Sequence, residues 1–526
     1  MNLKFTGHPL PDVGIATLCA MSGKSMPEEL TAEDLDQCAQ ELEENYFSGR
    51  MNSYLSCVFM NSEYVQPDAR KEEGKERKAL KRKQYAQRVL RAHRWEGDVG
   101  TGDLKCAYTG LPATHLVHRS QVPMLTGEDV INFFPAGRGT LPIAGPYLLA
   151  IQALPMGGRR AEGRMLLVHS DDGSLMTALA AKYVADNRRL LDLARKGQLP
   201  ARDGPDPLLE REHAAKDGNE PKYPDAKAPT SLVASDLMDV CARRNVDGQS
   251  YASVAVYVLS NSGQGPSLQV HFIPSQVVRF LALVQRSGAA RYWQQLVARS
   301  WLEPSKKKEQ GSEGQPRSKP SSSRKKVSTP AIAGGAGRSR NSVLQDLFAV
   351  FEGDFVDRRG AAGFVRRHLF PNIRFNQVPS DRAARGDELT LVNWELTELF
   401  LSEVLGMERT HIEKIREFAD RLAEHIAASN DRSLFRDLVY SQKPWEVRNA
   451  LVKAQRNEAK DHRKLLFGLD DFVDVFMADD SIGVADWGMI RDLISIRLIE
   501  ALHARDFFEQ RADWLTAPDA GEEQAA

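Results

Sequence analysis

At 526 residues the chain is long enough for three or four domains of about 150 residues each. With 42% hydrophobic and 27% charged residues it has the material for packed cores, which excludes a wholly disordered or fibrous protein. Lys and Arg number 70 against 71 Asp and Glu, a formal charge of -1, so any basic surface suited to nucleic acid has to be local.

Cysteine usage and hydropathy narrow the compartment. Cys19, Cys38, Cys57, Cys106 and Cys241 are scattered and odd in number, the pattern of a reducing environment rather than of a disulfide framework. No stretch of about 18 apolar residues appears, and the first residues lack a basic region followed by an apolar one. The expectation is a cytoplasmic protein with no membrane segment and no cofactor.

In chain order, TAEDLDQCAQELEENYF predicts a helix capped by Thr31, with Asp34 in the capping-box position. SYLSCVFMN has the β-branched and aromatic content of a short buried strand. Residues 70–94 hold 11 Lys or Arg against 3 Glu, a local charge of +8, and Leu80, Tyr85, Val89 and Leu90 predict a packed side on a helix there. From 95 to 180 glycine and proline predict an irregular platform of short buried elements. A helical pattern resumes over 181–200, and a surface connector follows. YASVAVYVLSNSG and SLQVHFIP predict a strand pair, and SQVVRFLALVQ and RYWQQLVARSWL predict helices.

Residues 306–342 are poor in large apolar side chains and predict a flexible basic linker, with Lys306 to Lys308 and Arg324 to Lys326 clustered. Beyond it, TLVNWELTELFLSEVL, HIEKIREFADRLAEHIAAS, WEVRNALVKAQRNEAKDHRKLLFG and WGMIRDLISIRLIEALHA carry apolar residues at i, i+3 and i+4. The fold class expected is α+β: an irregular mixed α/β body over 1–305, the linker, and a helical bundle over 343–526.

For chemistry, the +8 segment suits a phosphate backbone, where several cations replace condensed counterions; a solvated or protein-binding face is the alternative. Cys106, His115 and His118 are the nearest approach to a metal cluster, but a fourth ligand and the usual paired spacings are missing. A packed Cys with two hydrogen-bonded histidines is the preferred reading. With Asn132 they also suggest a divergent metal-dependent nuclease, for which the sequence supplies no established site. Gly137, Gly139 and Gly145 do not form a phosphate loop, and no nucleophile elbow is present. The pairs Asp171-Asp172 and Asp479-Asp480 read as solvated loop charges.

FTGHPLPDVGIATL, YLSCVFMNSEY, VINFFPAGRG and PYLLAIQALPMGG together resemble the large-subunit family of type I CRISPR surveillance complexes (Cascade), nearest the I-B branch. The resemblance covers residues up to about 180 and rests on Thr6, Gly7, His8, Pro9, Asp12 and Gly14 and on Asn132, Phe133, Phe134 and Pro135. It implies a non-catalytic subunit that recognises a protospacer-adjacent motif, stabilises opened target DNA and helps recruit a separate helicase-nuclease. Implied partners are a guide RNA, target double-stranded DNA, the repeated backbone and guide-end-binding subunits, and a separately translated small subunit equivalent to the helical region. Met407 offers an internal start, although starting there would remove the helix expected near Trp394. A zinc module known in relatives is not carried over, because Cys106 lacks its nearby cysteine pair.

On that reading Lys71, Lys75, Arg77, Lys78, Lys81, Arg82, Lys83, Arg88 and Arg91 are candidates to hold phosphates. Arg119, Asn132 and Arg138 fall in the central platform, where a positioned donor can read a base edge. Arg448, Lys453, Arg456, Lys460, Arg463 and Lys464 form a second basic group, which helical spacing spreads over more than one face. A general nucleic-acid-binding scaffold is the competing binding reading.

Overall fold

A computed structural model describes residues 3–66, 72–95, 104–125, 139–161, 164–196, 229–243, 251–261, 266–293, 347, 350–352, 355–356, 361, 364–365, 369, 394–441, 443–476 and 487–515. Two small sheets with surrounding helices make up the amino-terminal region, and a block of helices follows. The expected linker at 306–342 lies outside the described residues.

The first helix, α1 (Pro9–Ser22), starts on Pro at its first position and ends at Gly23, whose φ of 67° is the left-handed conformation a helix stop needs. It is buried on nearly every side, so it belongs in the centre of a core. The capping box predicted for α2 (Ala32–Tyr46) is formed: Asp34 N–H donates to Thr31 Oγ1 at 3.2 Å and Thr31 N–H to Asp34 Oδ2 at 2.9 Å. SYLSCVFMN is a helix, α3 (Asn52–Val58), and not a strand. Tyr54, Leu55, Cys57 and Val58 are buried at i, i+1, i+3 and i+4, a spacing that tertiary packing used in preference to the β propensity of the residues.

Helix α4 (Glu72–Tyr85) runs into a π turn, Ala86–Leu90, and a 3-10 turn, Ala92–Arg94. Strands β1 (His115–Val117) and β2 (Leu141–Ile143) pair antiparallel. The stretch expected to be irregular then contains a 13-residue helix, α5 (Gly145–Gly157), buried along almost its whole length. Its glycines and prolines act as helix parts: Pro146 occupies the first turn, where no N–H is required. Gly14 lets α1 lie directly on α5, since a Cβ there would sit 2.1 Å from the Ala150 carbonyl oxygen. At the other end of this crossing a Cβ on Gly157 would sit 1.7 Å from Thr17 Oγ1.

Strands β3 (Arg159–Ala161), β4 (Arg164–Ser170), β5 (Val254–Ser260) and β6 (Ser267–Ile273) form an antiparallel sheet in that order, with Val168 opposite Val256 and Val256 opposite His271. The predicted pairing of β5 with β6 is therefore observed. Helices α6 (Gly173–Arg195), α7 (Pro229–Arg243) and α8 (Ser275–Arg286) pack around this sheet. Its two faces enter different cores. Met165, Leu167 and Leu259 join the residues of α1, α2, α3 and α5. Leu166, Val168, Val254, Val256, Val258 and Ile273 join α7, α8 and the carboxy-terminal helices. Strands covered on both sides read as continuous apolar runs, as MLLV of β4 and VAVYVL of β5 do, whereas on β6 Leu268, Val270 and Phe272 are exposed.

After the hairpin of β7 (Phe351–Glu352) and β8 (Phe355–Val356), α9 (Trp394–Leu399) continues into a second π turn, Phe400–Val404. Phe400 meets Phe280 of α8 edge-on at 5.8 Å and stacks on Phe364 at 4.7 Å. Arg279 Nε lies 2.7 Å from Glu403, so the same junction carries an ion pair. The remaining helices are α10 (Arg409–Ser429), α11 (Arg432–Tyr440), α12 (Pro444–Lys460), α13 (Leu469–Phe476) and α14 (Trp487–His503). Helix α14 is the axis of this block, with Met489, Ile490, Leu493, Ile494, Ile496 and Leu498 buried around its circumference. Its polar groups are satisfied internally: buried Asp492 pairs with Arg491, and Arg497 holds Asp420 with two hydrogen bonds of 2.8 and 3.1 Å. Among the described residues no helix is long and apolar enough to cross a membrane.

Replacing Gly14 by Ala should force α1 off α5 and destabilise the protein by about 1–3 kcal/mol, the usual cost of overpacking. Denaturant unfolding of the full chain followed by circular dichroism measures this. An unchanged midpoint would remove the close crossing from the account.

Candidate nucleic-acid interface

Lys71, Asn132 and Arg138, together with VINFFP, lie outside the described residues. The remaining candidates fall into three settings. On α4 no described side chain is fully buried, and the helix is held to the body along one narrow line. Lys78 Nζ donates to the Gln66 carbonyl, the Arg82 guanidinium lies over the Phe47 ring at 5.8 Å, and Tyr85 donates to the Ser120 carbonyl at 3.2 Å. Lys75, Arg77, Lys81 and Lys83 are exposed, as is Arg88 in the π turn that follows. Leu80, expected on the packed side, is instead 57% exposed among them, because α4 docks through Lys78, Arg82 and Tyr85. Tyr85, Val89 and Leu90 do pack against the amino-terminal core.

The second setting binds cations to the protein itself. Arg91 pairs with Glu43 at 3.2 Å, and Arg94, just beyond, pairs with Asp36 at 2.8 Å. Arg119 is half-buried and donates to the Asn261 carbonyl at 2.9 Å, which ties the β1 region to the end of β5. These side chains hold the body together.

The third setting is α12. Val447, Ala450, Leu451, Ala454 and Glu458 are buried at i, i+3, i+4, i+7 and i+11, so the opposite side is left to solvent. Trp445, Arg448, Val452, Arg456 and Lys460 follow at i, i+3, i+7, i+11 and i+15, with Lys453 at their edge. Of the cations expected to spread over more than one face, Arg448, Arg456 and Lys460 share the solvent side of α12, because the packing of the apolar positions leaves that side free. Among the described residues no hydrogen bond or ion pair engages Arg448, Arg456, Lys460 or Lys464, and Lys453 reaches Ser433 Oγ at 3.5 Å. Arg463 and Lys464 lie beyond the helix end; Arg463 pairs with Asp461 and, at 3.4 Å, with Glu458. Trp445 is 50% exposed and Val452 44% exposed in the middle of this basic face. Sequence reasoning passed over both; their i and i+7 spacing with the cations was the available signal.

The Cys106, His115 and His118 group is built differently from a metal centre. Cys106 is buried. His115 Nε2 donates to the Arg88 carbonyl at 2.9 Å, which leaves Nδ1 to accept the Thr114 hydroxyl at 2.8 Å. Among the described residues no three His, Cys, Asp or Glu side chains gather where a metal ion would be held. Asp172 caps α6 by accepting from Leu175 N–H at 2.9 Å.

Burial lowers the His115 pKa to about 4, against the raising effect of its bond to Arg88. The folded chain thus prefers the neutral ring, and the stability this contributes is complete above about pH 6.5 and lost as pH falls toward 4. Replacing His115 with Gln should flatten that part of the acid dependence in urea midpoints measured from pH 7 to 4. An unchanged dependence would contradict the buried neutral imidazole. No family model, curated protein or solved structure matches this chain.

Proposed function

We propose that the chain is the non-catalytic large subunit of an RNA-guided DNA surveillance complex, binding target DNA through the solvent faces of α12 and α4. The observation that carries this reading is the α12 face, where cations not committed to internal ion pairs alternate with an exposed indole. From Arg448 to Lys460 the helix rises about 18 Å, enough to follow about five phosphates of one strand. Attraction to that backbone is independent of sequence. Trp445 adds a flat apolar surface on which an unpaired base would stack, a contact worth about 1–3 kcal/mol.

The division of labour follows from the same chemistry. Cations on helix faces position a nucleic acid without reading it, so target sequence is left to pairing with a guide RNA carried by the repeated backbone subunit. Recognition of an adjacent motif, stabilisation of the opened target and recruitment of a separate helicase-nuclease complete the proposed role. Arg77, Lys81, Lys83 and Arg88 supply the second contact region. Lys78 and Arg82 serve α4 docking instead, so substituting them would mix loss of structure with loss of binding.

The test uses the assembled particle. Changing Arg448, Lys453, Arg456 and Lys460 together to Ala should weaken matched and nonspecific DNA alike and reduce the slope of log affinity against log salt by at most ~4. Trp445→Ala should leave that slope unchanged and weaken opened target by about 5- to 100-fold. An unaltered salt slope in a folded, assembled particle would remove α12 from the interface. Equal affinity for matched targets with and without an adjacent motif would instead favour a general nucleic-acid scaffold.

A further inference from the structure

We propose that His8 is a proton-sensitive latch that fastens the amino-terminal segment to α1 and releases it as pH falls. Tyr147 holds the start of this segment, its hydroxyl accepting the Lys4 N–H at 3.2 Å, and two side chains of the α1 entry hold the rest. The first is buried Asp12, which accepts Thr6 N–H at 2.6 Å, Thr6 Oγ1 at 2.8 Å and Gly7 N–H at 2.8 Å, with His169 Nε2 at 3.4 Å. The second is His8, at the helix N-cap, whose Nδ1 accepts the Leu10 N–H at 3.2 Å. Ser, Thr, Asp and Asn usually fill that position, and none of them gains a proton between pH 8 and 5.

The acceptor exists only while the ring is neutral. Protonation makes both ring nitrogens donors, which removes the cap from Leu10 N–H and places a positive charge at the positive end of the α1 dipole. Among the described residues, the ionisable groups facing His8 are Asp12 in the first turn of α1, His169 on β4, and Tyr108, whose ring centroid is 4.8 Å away. Burial lowers the His8 pKa most strongly; Asp12 opposes this and His169 adds to it. A folded value below the unfolded one means the cap is complete above about pH 6.5 and fails as pH falls through the lower value. The residue as a whole is exposed, so protons reach it without unfolding. The segment it secures inserts Leu3 into the amino-terminal core and lays Phe5 against Gly173 of α6.

Hydrogen–deuterium exchange of the full chain, corrected for intrinsic rates, tests the latch in steps from pH 7.5 to 4.0. Peptides covering residues 3–14 should lose protection ~5-fold at the lowest pH, the factor expected from one helix cap. Peptides from α10 and α14 should not change with them. His8→Asn keeps an acceptor that does not titrate and should abolish the local response; His8→Asp tests the same point down to pH 5.0 if the first variant does not fold. Wild-type protection that persists down to pH 4.0, or a response of the same size in the His8 variants, would overturn the proposal. Loss of the response in His169→Gln, with His8→Asn still responding, would assign the titration to His169 and overturn it equally.

Discussion

The burial of both faces of the two central strands, β4 and β5, organises the molecule. Strands β4 and β5 alternate their side chains between two hydrophobic cores, so Leu166 and Val168 serve one while Met165 and Leu167 serve the other. A slip of one residue in register would exchange the two sets, and the cores on each side make that costly. The amino-terminal helices are thereby fixed to one face. The other face carries α7 and α8, and through Phe280, Phe364 and Phe400 it is continuous with the carboxy-terminal helices. Basic surfaces far apart in sequence are thus presented by one packed framework.

Within that framework the charges sort by what lies beneath them. Arg91, Arg94 and Arg119 meet carboxylates or carbonyls and act as fasteners, whereas Arg448, Arg456 and Lys460 lie opposite the buried Val447, Ala450, Leu451 and Ala454 of α12, with Glu458 the one buried acid on that side. A net charge near zero therefore conceals an uneven distribution. The α12 face is the more informative of the two exposed basic helices, since its geometry is fixed by a packed opposite side. Helix α4 is instead attached through polar and aromatic contacts of Lys78, Arg82 and Tyr85.

Much of the fold was legible where local rules and packing agree. Thr31 and Asp34 announced α2, the apolar runs of β5 and β6 announced their pairing, and 3.6-residue periodicity announced α10 and α14. Helix α3 was misread because a short apolar run rich in Tyr, Val and Phe has no period long enough to distinguish strand from buried helix. Helix α5 was hidden by its own glycines and prolines: Pro146 takes a first-turn position, Pro155 sits inside the helix, and Gly145 and Gly157 allow close approach of Ala92 and of Thr17 of α1. The candidate interface was half legible: composition located its cations, but their common face and the exposure of Trp445 depend on which side of α12 packs. Nothing local could reveal that Arg119 is bound to Asn261, 142 residues away.

A subunit of a guided complex differs from a free-standing nucleic-acid binder in what it assembles with. The decisive measurement is purification of the full chain with the proteins encoded beside it, followed by sizing, RNA detection and mass spectrometry of the intact particle. The account predicts a stable assembly containing a repeated backbone protein and a short guide RNA. A reproducibly RNA-free monomer, recovered while the neighbouring subunits are intact, would contradict it.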